Sequence, residues 1–131
     1  MKAVVLAGGF LKVDPRLKRF CREASLVIAA DSGLRHAAPL DITPDLITGD
    51  FDSVADDDLA TFAHVAKEPH PADKDQLDLE LALEAALARG ALSVRVLGAL
   101  GGRFDQTLAT LLIAARLRRE GTDISLHTGT T

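Results

Sequence analysis

Six short apolar or β-branched runs, Ala3–Ala7, Leu26–Ala30, Leu46–Thr48, Val65–Ala66, Ser93–Leu97 and Asp123–His127, alternate with segments of helical periodicity. The helical segments are Pro15–Ala24, Ser32–Ala37, Ala55–Phe62, Asp75–Arg89 and Asp105–Arg119, several opened by Asp or Ser and closed near Gly, as capping chemistry favours. Strands separated by helices pair in parallel through crossovers, because a tight hairpin turn has no room for a helix. The pattern therefore predicts a three-layer α/β/α sandwich with a mostly parallel, Rossmann-like sheet. In such sheets ligands sit at the carboxyl ends of the strands, so the residues that follow each run come first in a search for chemistry.

Composition narrows the class further. With 131 residues, 47% hydrophobic and 26% charged, residues 1–131 fit one domain and are too apolar for a disordered chain. No apolar run approaches the roughly 18 residues of a membrane span, and Met1-Lys2 leads into too brief an apolar run for a secretory signal. The cytoplasm is the expected compartment, with no membrane partner. Cys21 is the single cysteine and the four histidines are scattered, which leaves neither an internal disulfide nor a zinc spacing. The net charge is −4, which argues against nucleic acid as a partner. Its distribution is uneven: residues 31–80 hold eleven Asp and two Glu against Arg35, Lys67 and Lys74. Such a segment either solvates a surface or gathers carboxylates around a cation. The ending, a strand followed by Thr128-Gly129-Thr130-Thr131, reads as if another element should follow.

Three clusters at strand ends carry candidate chemistry. Asp31 follows Ala29-Ala30, and Asp50 and Asp52 follow Leu46-Ile47-Thr48-Gly49 with Phe51 between them. In extended chain the two carboxylates of the pair point the same way, and like charges so placed favour a cation such as Mg²⁺ between them. A turn capped around Gly49 is the plainer reading for a lone Asp, but for a pair at a strand end the metal is favoured. In Asp73-Lys74-Asp75-Gln76-Leu77-Asp78, Asp75 and Asp78 share a helix face, and first-turn acid is also ordinary helix-start chemistry. Lys74 suits either a surface pair or a phosphate. Gly101-Gly102-Arg103-Phe104-Asp105-Gln106-Thr107 turns from strand into helix, where backbone amides and an arginine fork can meet an anion; a tight connection capped by Asp105 is the alternative. The Walker and dinucleotide glycine spacings are both absent. Gly8-Gly9 reads as a turn, and Asp56-Asp57-Asp58 as a solvated helix start.

Taken in order, Ala30-Asp31-Ser32-Gly33, Pro44 through Ser53 with its Gly-Asp-Phe-Asp-Ser core, Lys74-Asp75-Gln76-Leu77-Asp78 and Leu100 through Thr107 resemble the catalytic-domain signature of the thiamine pyrophosphokinase family. The resemblance implies transfer of a pyrophosphoryl group from ATP to thiamine with release of AMP, Mg²⁺ as cofactor and a homodimer. It implies that Asp50, Asp52 and Asp78 are the metal and phosphate-site carboxylates, with Asp31 and Asp75 near them. Gly33, Lys74, Gly101, Gly102, Arg103, Asp105, Gln106 and Thr107 would serve the nucleotide. Leu77 stands where the family usually has Thr, which removes a hydroxyl. The family's β-rich thiamine-binding domain is expected to lie outside this chain, and with no Trp or Tyr and five Phe the chain offers few aromatic walls to an aromatic cation. Two alternatives are a related pyrophosphokinase acting on a hydroxymethylpterin and a non-catalytic nucleotide-binding remnant.

Overall fold

A computed structural model describes residues 1–49, 56–69, 78–100 and 104–129, and the side chains of residues 78 and 104–109 lie outside that description. The elements are β1 (Lys2–Leu6), α1 (Pro15–Glu23), β2 (Leu26–Ala30), a 3-10 helix (Asp31–His36), β3 (Leu46–Gly49), α2 (Asp56–Thr61), β4 (Ala66–Pro69), α3 (Asp78–Ala88), β5 (Ser93–Leu97), α4 (Phe104–Arg119) and β6 (Asp123–His127). The strands form one sheet in the order β4-β3-β2-β1-β5-β6. Each pairing is parallel, so the expected mostly parallel sheet is parallel throughout the described residues.

Alternation along the strands builds two apolar layers. Ala3, Val5, Ile28 and Ala30 face Leu79, Ala82, Leu83, Ala86, Ala114 and Leu117 of α3 and α4. On the opposite face Val4, Leu6, Val27, Ala29 and Ile47 meet Leu17 and Cys21 of α1, Leu34 of the 3-10 helix, and Phe62. Because both faces are covered, the central strands are continuously apolar rather than alternating in polarity. The many alanines of α3 let that helix lie close to the sheet. Helix α1 starts where Asp14 accepts a bond from the Leu17 amide at 2.8 Å, with Pro15 at its first position. Leu17 and Cys21, one turn apart, are its buried stripe. Burial pushes the Cys21 thiol up to about 11, so it behaves as a small apolar side chain.

The edge strand β4 departs from the expected Val65–Ala66. Its sequence Ala-Lys-Glu-Pro is largely exposed and lacks the apolar run that marks the other strands. Lys67 donates to the carbonyls of Ala63 and Val65 at 3.2 and 3.1 Å, and Glu68 pairs with Arg89 at 3.6 Å. A lysine and a proline on an edge discourage further strand pairing. Helix α2 begins on Asp56-Asp57-Asp58, with Asp56 and Asp57 exposed, as the sequence implies. Among the described residues no helix is long and apolar enough to cross a membrane.

From β1 the chain steps outward through β2 and β3 to β4, then returns by way of α3 to place β5 on the other side of β1. The order therefore reverses between β1 and β5, and ligand crevices open at such a reversal, outside the carboxyl ends of the strands. Because the strands are parallel, the connections into α3 and α4 both leave from strand carboxyl ends, which sets the N-termini of these helices at the same edge.

Candidate active site at the carboxyl edge

Two glycine turns meet at the reversal. After β1, Ala7 and Gly9 donate to the carbonyls of Leu97 and Gly98 at 2.8 and 2.6 Å, and Phe10 donates to Leu100 at 3.1 Å. The two turns thus continue the ladder of β1 and β5 beyond the strands. Close approach explains the glycines. A Cβ on Gly8 would strike the Ser32 hydroxyl, one on Gly9 would lie 2.6 Å from the Leu100 carbonyl oxygen, and one on Gly98, at φ +81°, would lie 2.5 Å from that of Ala7. Gly8-Gly9 is the turn expected from the sequence, and its contacts seat it against the turn after β5 and Ser32.

The last turn of the 3-10 helix fastens this wall. Arg35 donates through Nη2 to the carbonyls of Gly8 and Gly9, the latter at 3.1 Å. His36 places Nε2 2.9 Å from the Gly9 carbonyl, so Nε2 carries the proton and donates. Burial holds the His36 imidazole below its ordinary value; the bond to Gly9 works against this, and the Arg35 charge adds to it. Neither residue stands out in sequence, because their carbonyl partners lie 26 or 27 positions away. The only local signal is a basic pair a few residues after a strand-end aspartate.

Asp31 sits where the sequence puts it, immediately after β2. It is only 5% exposed and adopts φ +49°, a left-handed conformation that Asp tolerates better than most residues. Gly49 at the end of β3 faces it: a Cβ there would lie 2.8 Å from the Asp31 Cβ. Gly33 is buried and brings the 3-10 helix against the backbone of Leu6 and Ala7, with the Ala7 Cα 2.9 Å from where its Cβ would be. Beside Gly49, Thr48 is fully buried and its hydroxyl has no hydrogen-bond partner. Within Leu46-Ile47-Thr48-Gly49 nothing in the sequence marks it as more than a strand residue.

The structure brings Asp31, Gly33 and Gly49 together with the Gly8, Gly9 and Gly98 turns. Asp78 opens α3, and Asp105, Gln106 and Thr107 lie in the first two turns of α4, which the topology sets at the same edge. Asp50, Asp52, Lys74, Asp75, Gly101, Gly102 and Arg103 lie outside the described residues. Among the described residues no group of three or more His, Cys, Asp or Glu side chains could hold a metal.

A second polar cluster lies on the α1 side of β5 and β6. His127 ends β6 and places Nε2 2.9 Å from the Ser125 hydroxyl. The Phe20 ring meets His127 edge to face at 5.0 Å, and the Arg95 guanidinium lies over the same ring at 3.9 Å while pairing with Glu23 at 3.6 Å. Burial lowers the His127 imidazole, and the charges of Arg16 and Arg95 lower it further.

Fold and edge together define a doubly wound α/β domain with a glycine-walled, carboxylate-bearing crevice at its reversal. Comparison with known proteins makes the assignment specific. The family model for the thiamin pyrophosphokinase catalytic domain matches residues 17–126. Thiamine pyrophosphokinase of Bacillus subtilis (strain 168) is 33% identical over 114 residues, 85% of this chain and 53% of that protein. The crystal structure of thiamine pyrophosphokinase from Bacillus subtilis matches 97% of this chain and 60% of its own, with a TM-score of 0.82 and 27% identity. A thiamin pyrophosphokinase family protein from Enterococcus faecalis gives 0.76 and 27% over 97% and 61% of the two chains. Thiamin pyrophosphokinase from Candida albicans gives 0.76 at 17% identity, a likeness of fold, over 95% and 56%. The chain belongs to the thiamin pyrophosphokinase catalytic-domain family, and it spans about half the length of the curated relative it matches.

Proposed function

We propose that the chain forms the nucleotide-handling part of an enzyme that transfers the pyrophosphoryl group of ATP to the hydroxyl of thiamine, giving thiamine diphosphate and AMP. One observation carries this reading: the family match over residues 17–126 belongs to a sheet whose carboxyl edge gathers Asp31 and the facing glycine turns. The relatives named above are thiamine pyrophosphokinases, so the hydroxymethylpterin alternative gains no support.

In this reading Asp50, Asp52 and Asp78 would hold Mg²⁺, with Asp31 and Asp75 near them as the resemblance implies. Hard carboxylate oxygens are the donors Mg²⁺ takes, and the buried carboxylate of Asp31 beside Gly49 fits such a donor set. When bound, the cation offsets the negative charge of the triphosphate. Lys74 and Arg103 donate to phosphate oxygens, Arg103 through its planar fork. Gly33, Gly101 and Gly102 let backbone come near the nucleotide, which Asp105, Gln106 and Thr107 line. A carboxylate at the acceptor takes the hydroxyl proton as its oxygen attacks the β-phosphorus; the bond to the α-phosphate breaks and AMP leaves. The reading includes a cytoplasmic homodimer, and the acidic residues 31–80 support the absence of a nucleic-acid partner.

Calorimetry with ATP in the presence and absence of Mg²⁺, followed by identification of the nucleotide released with thiamine, tests it. Mg²⁺-dependent ATP binding is expected, with AMP and thiamine diphosphate formed together. ADP as the stoichiometric product, or ATP binding indifferent to Mg²⁺, overturns the reading. Asp50→Asn and Asp52→Asn should each weaken Mg·ATP binding in a folded protein; unchanged affinity in both removes the metal assignment.

A further inference from the structure

The geometry points to Arg35 as a polyphosphate-contacting residue, its guanidinium fixed by the glycine turn after β1 and that turn braced by His36; the inference rests on the nucleotide reading above. Arg35 is exposed, yet its Nη2 spans the carbonyls of Gly8 and Gly9, so it lacks the freedom of an ordinary surface arginine. A guanidinium carries five N–H donors, and the bonds to the turn commit one nitrogen. The N–H groups of Nε and Nη1 remain for a ligand. Among the described residues no carboxylate pairs with Arg35. An arginine with no carboxylate partner among the described residues, pre-ordered at the reversal of a parallel sheet, suits an anion with several oxygens.

The turn itself sharpens the assignment. The amides of Gly9 and Phe10 are already given to the carbonyls of Gly98 and Leu100, so this glycine pair does not offer them to a phosphate. The Gly8 and Gly9 carbonyls, which would repel an anion, are drawn to Arg35 and His36 instead. The attraction the turn presents is therefore the arginine it holds. Gly8 and Gly9 admit no side chain, which keeps the two carbonyls within reach of that arginine.

Titration of the full chain with Mg·ATP and, separately, with inorganic triphosphate and Mg²⁺ at two salt concentrations tests this, with thermal melting of each variant alongside. Arg35→Gln retains a donor for the turn but removes the charge. It should weaken both ligands about tenfold or more, as loss of a charge-assisted bond does, and flatten the salt dependence with melting unchanged. Arg35→Lys should recover part of the affinity. Affinity within twofold of the parent in Arg35→Gln, or a loss that follows a fall in melting temperature and is not recovered by Lys, overturns the inference. Failure of the parent chain to bind either ligand instead overturns the nucleotide reading, and the role of Arg35 with it.

Discussion

His36 and His127 both lie near carboxyl ends of parallel strands, and both imidazoles are held below their ordinary value first by burial. What surrounds them differs. His36 is bound to main chain, the Gly9 carbonyl, and lies against Gly98. His127 is bound to side chains, with the Ser125 hydroxyl, the Phe20 ring and the charges of Arg16 and Arg95 around it. The crevice is thus fastened by backbone that few substitutions can imitate, whereas the α1 face of β5 and β6 is a set of exchangeable side-chain contacts. The lesson is that a polar cluster tied to carbonyls and glycines fixes where the chain runs. One tied to other side chains only tunes stability.

The largest expected break in this contrast is Gly98→Ala. Its backbone conformation and the Ala7 carbonyl leave no place for a methyl, and strain plus overpacking should cost about 2–5 kcal/mol in urea unfolding. Ser125→Ala on the other face should cost less than about 1 kcal/mol. Next comes His36→Leu, which strips the Gly9 carbonyl of one donor and should cost about 1–3 kcal/mol, partly regained in His36→Gln. Equal losses in the Leu and Gln variants would make His36 a packing residue.

Acidity separates the two sites more finely. Since folding lowers both imidazoles, the unfolded chain takes up these protons first as pH falls below the ordinary 6.5. Their contribution is then complete above pH 6.5 and is lost on acidification toward the folded values. Denaturation at stepped pH should show this decline, reduced in His36→Gln. Nuclear magnetic resonance titration at low and high salt should move His127 upward more than His36, because charged arginines make up both of its lesser causes. The smallest effect is Arg95→Gln, within about 1 kcal/mol for a cation over an aromatic ring, accompanied by a rise of the His127 titration. No rise would show that Arg95 does not act on His127.

Much of the fold was legible because short buried strands announce themselves. Leu26–Ala30, Ser93–Leu97 and Asp123–His127 have the bounds read from the sequence, and the capped start of α1 follows from Asp14-Pro15. β4 was misplaced because an exposed edge strand carries no apolar run. Ser32–Ala37 is the 3-10 helix Asp31–His36, too short for helical periodicity to define. In the candidate site, Asp31 was legible from its place after a strand. Arg35 and His36 were not, since their partners are main-chain carbonyls that carry no residue identity. Thr48 was hidden within an ordinary strand sequence. Glu80 is half-buried and pairs with Arg116 at 3.8 Å, a neighbour that only helix packing supplies.

The central pairing of β1 with β5 joins residues far apart in the chain, Val4 beside Arg95. Closing a loop of about 90 residues carries the entropy cost of long loops, whereas β1 meets β2 across a short crossover. A partly folded chain holding β1 to β4 would have most of one apolar layer but would lack the β5 turn, with Gly98 and Leu100, that completes the crevice. The crevice therefore exists only in molecules that have made the long closure, and any ligand that binds there draws the population toward the completed sheet. Nucleotide binding would then double as a measure of how many molecules in a sample have finished folding.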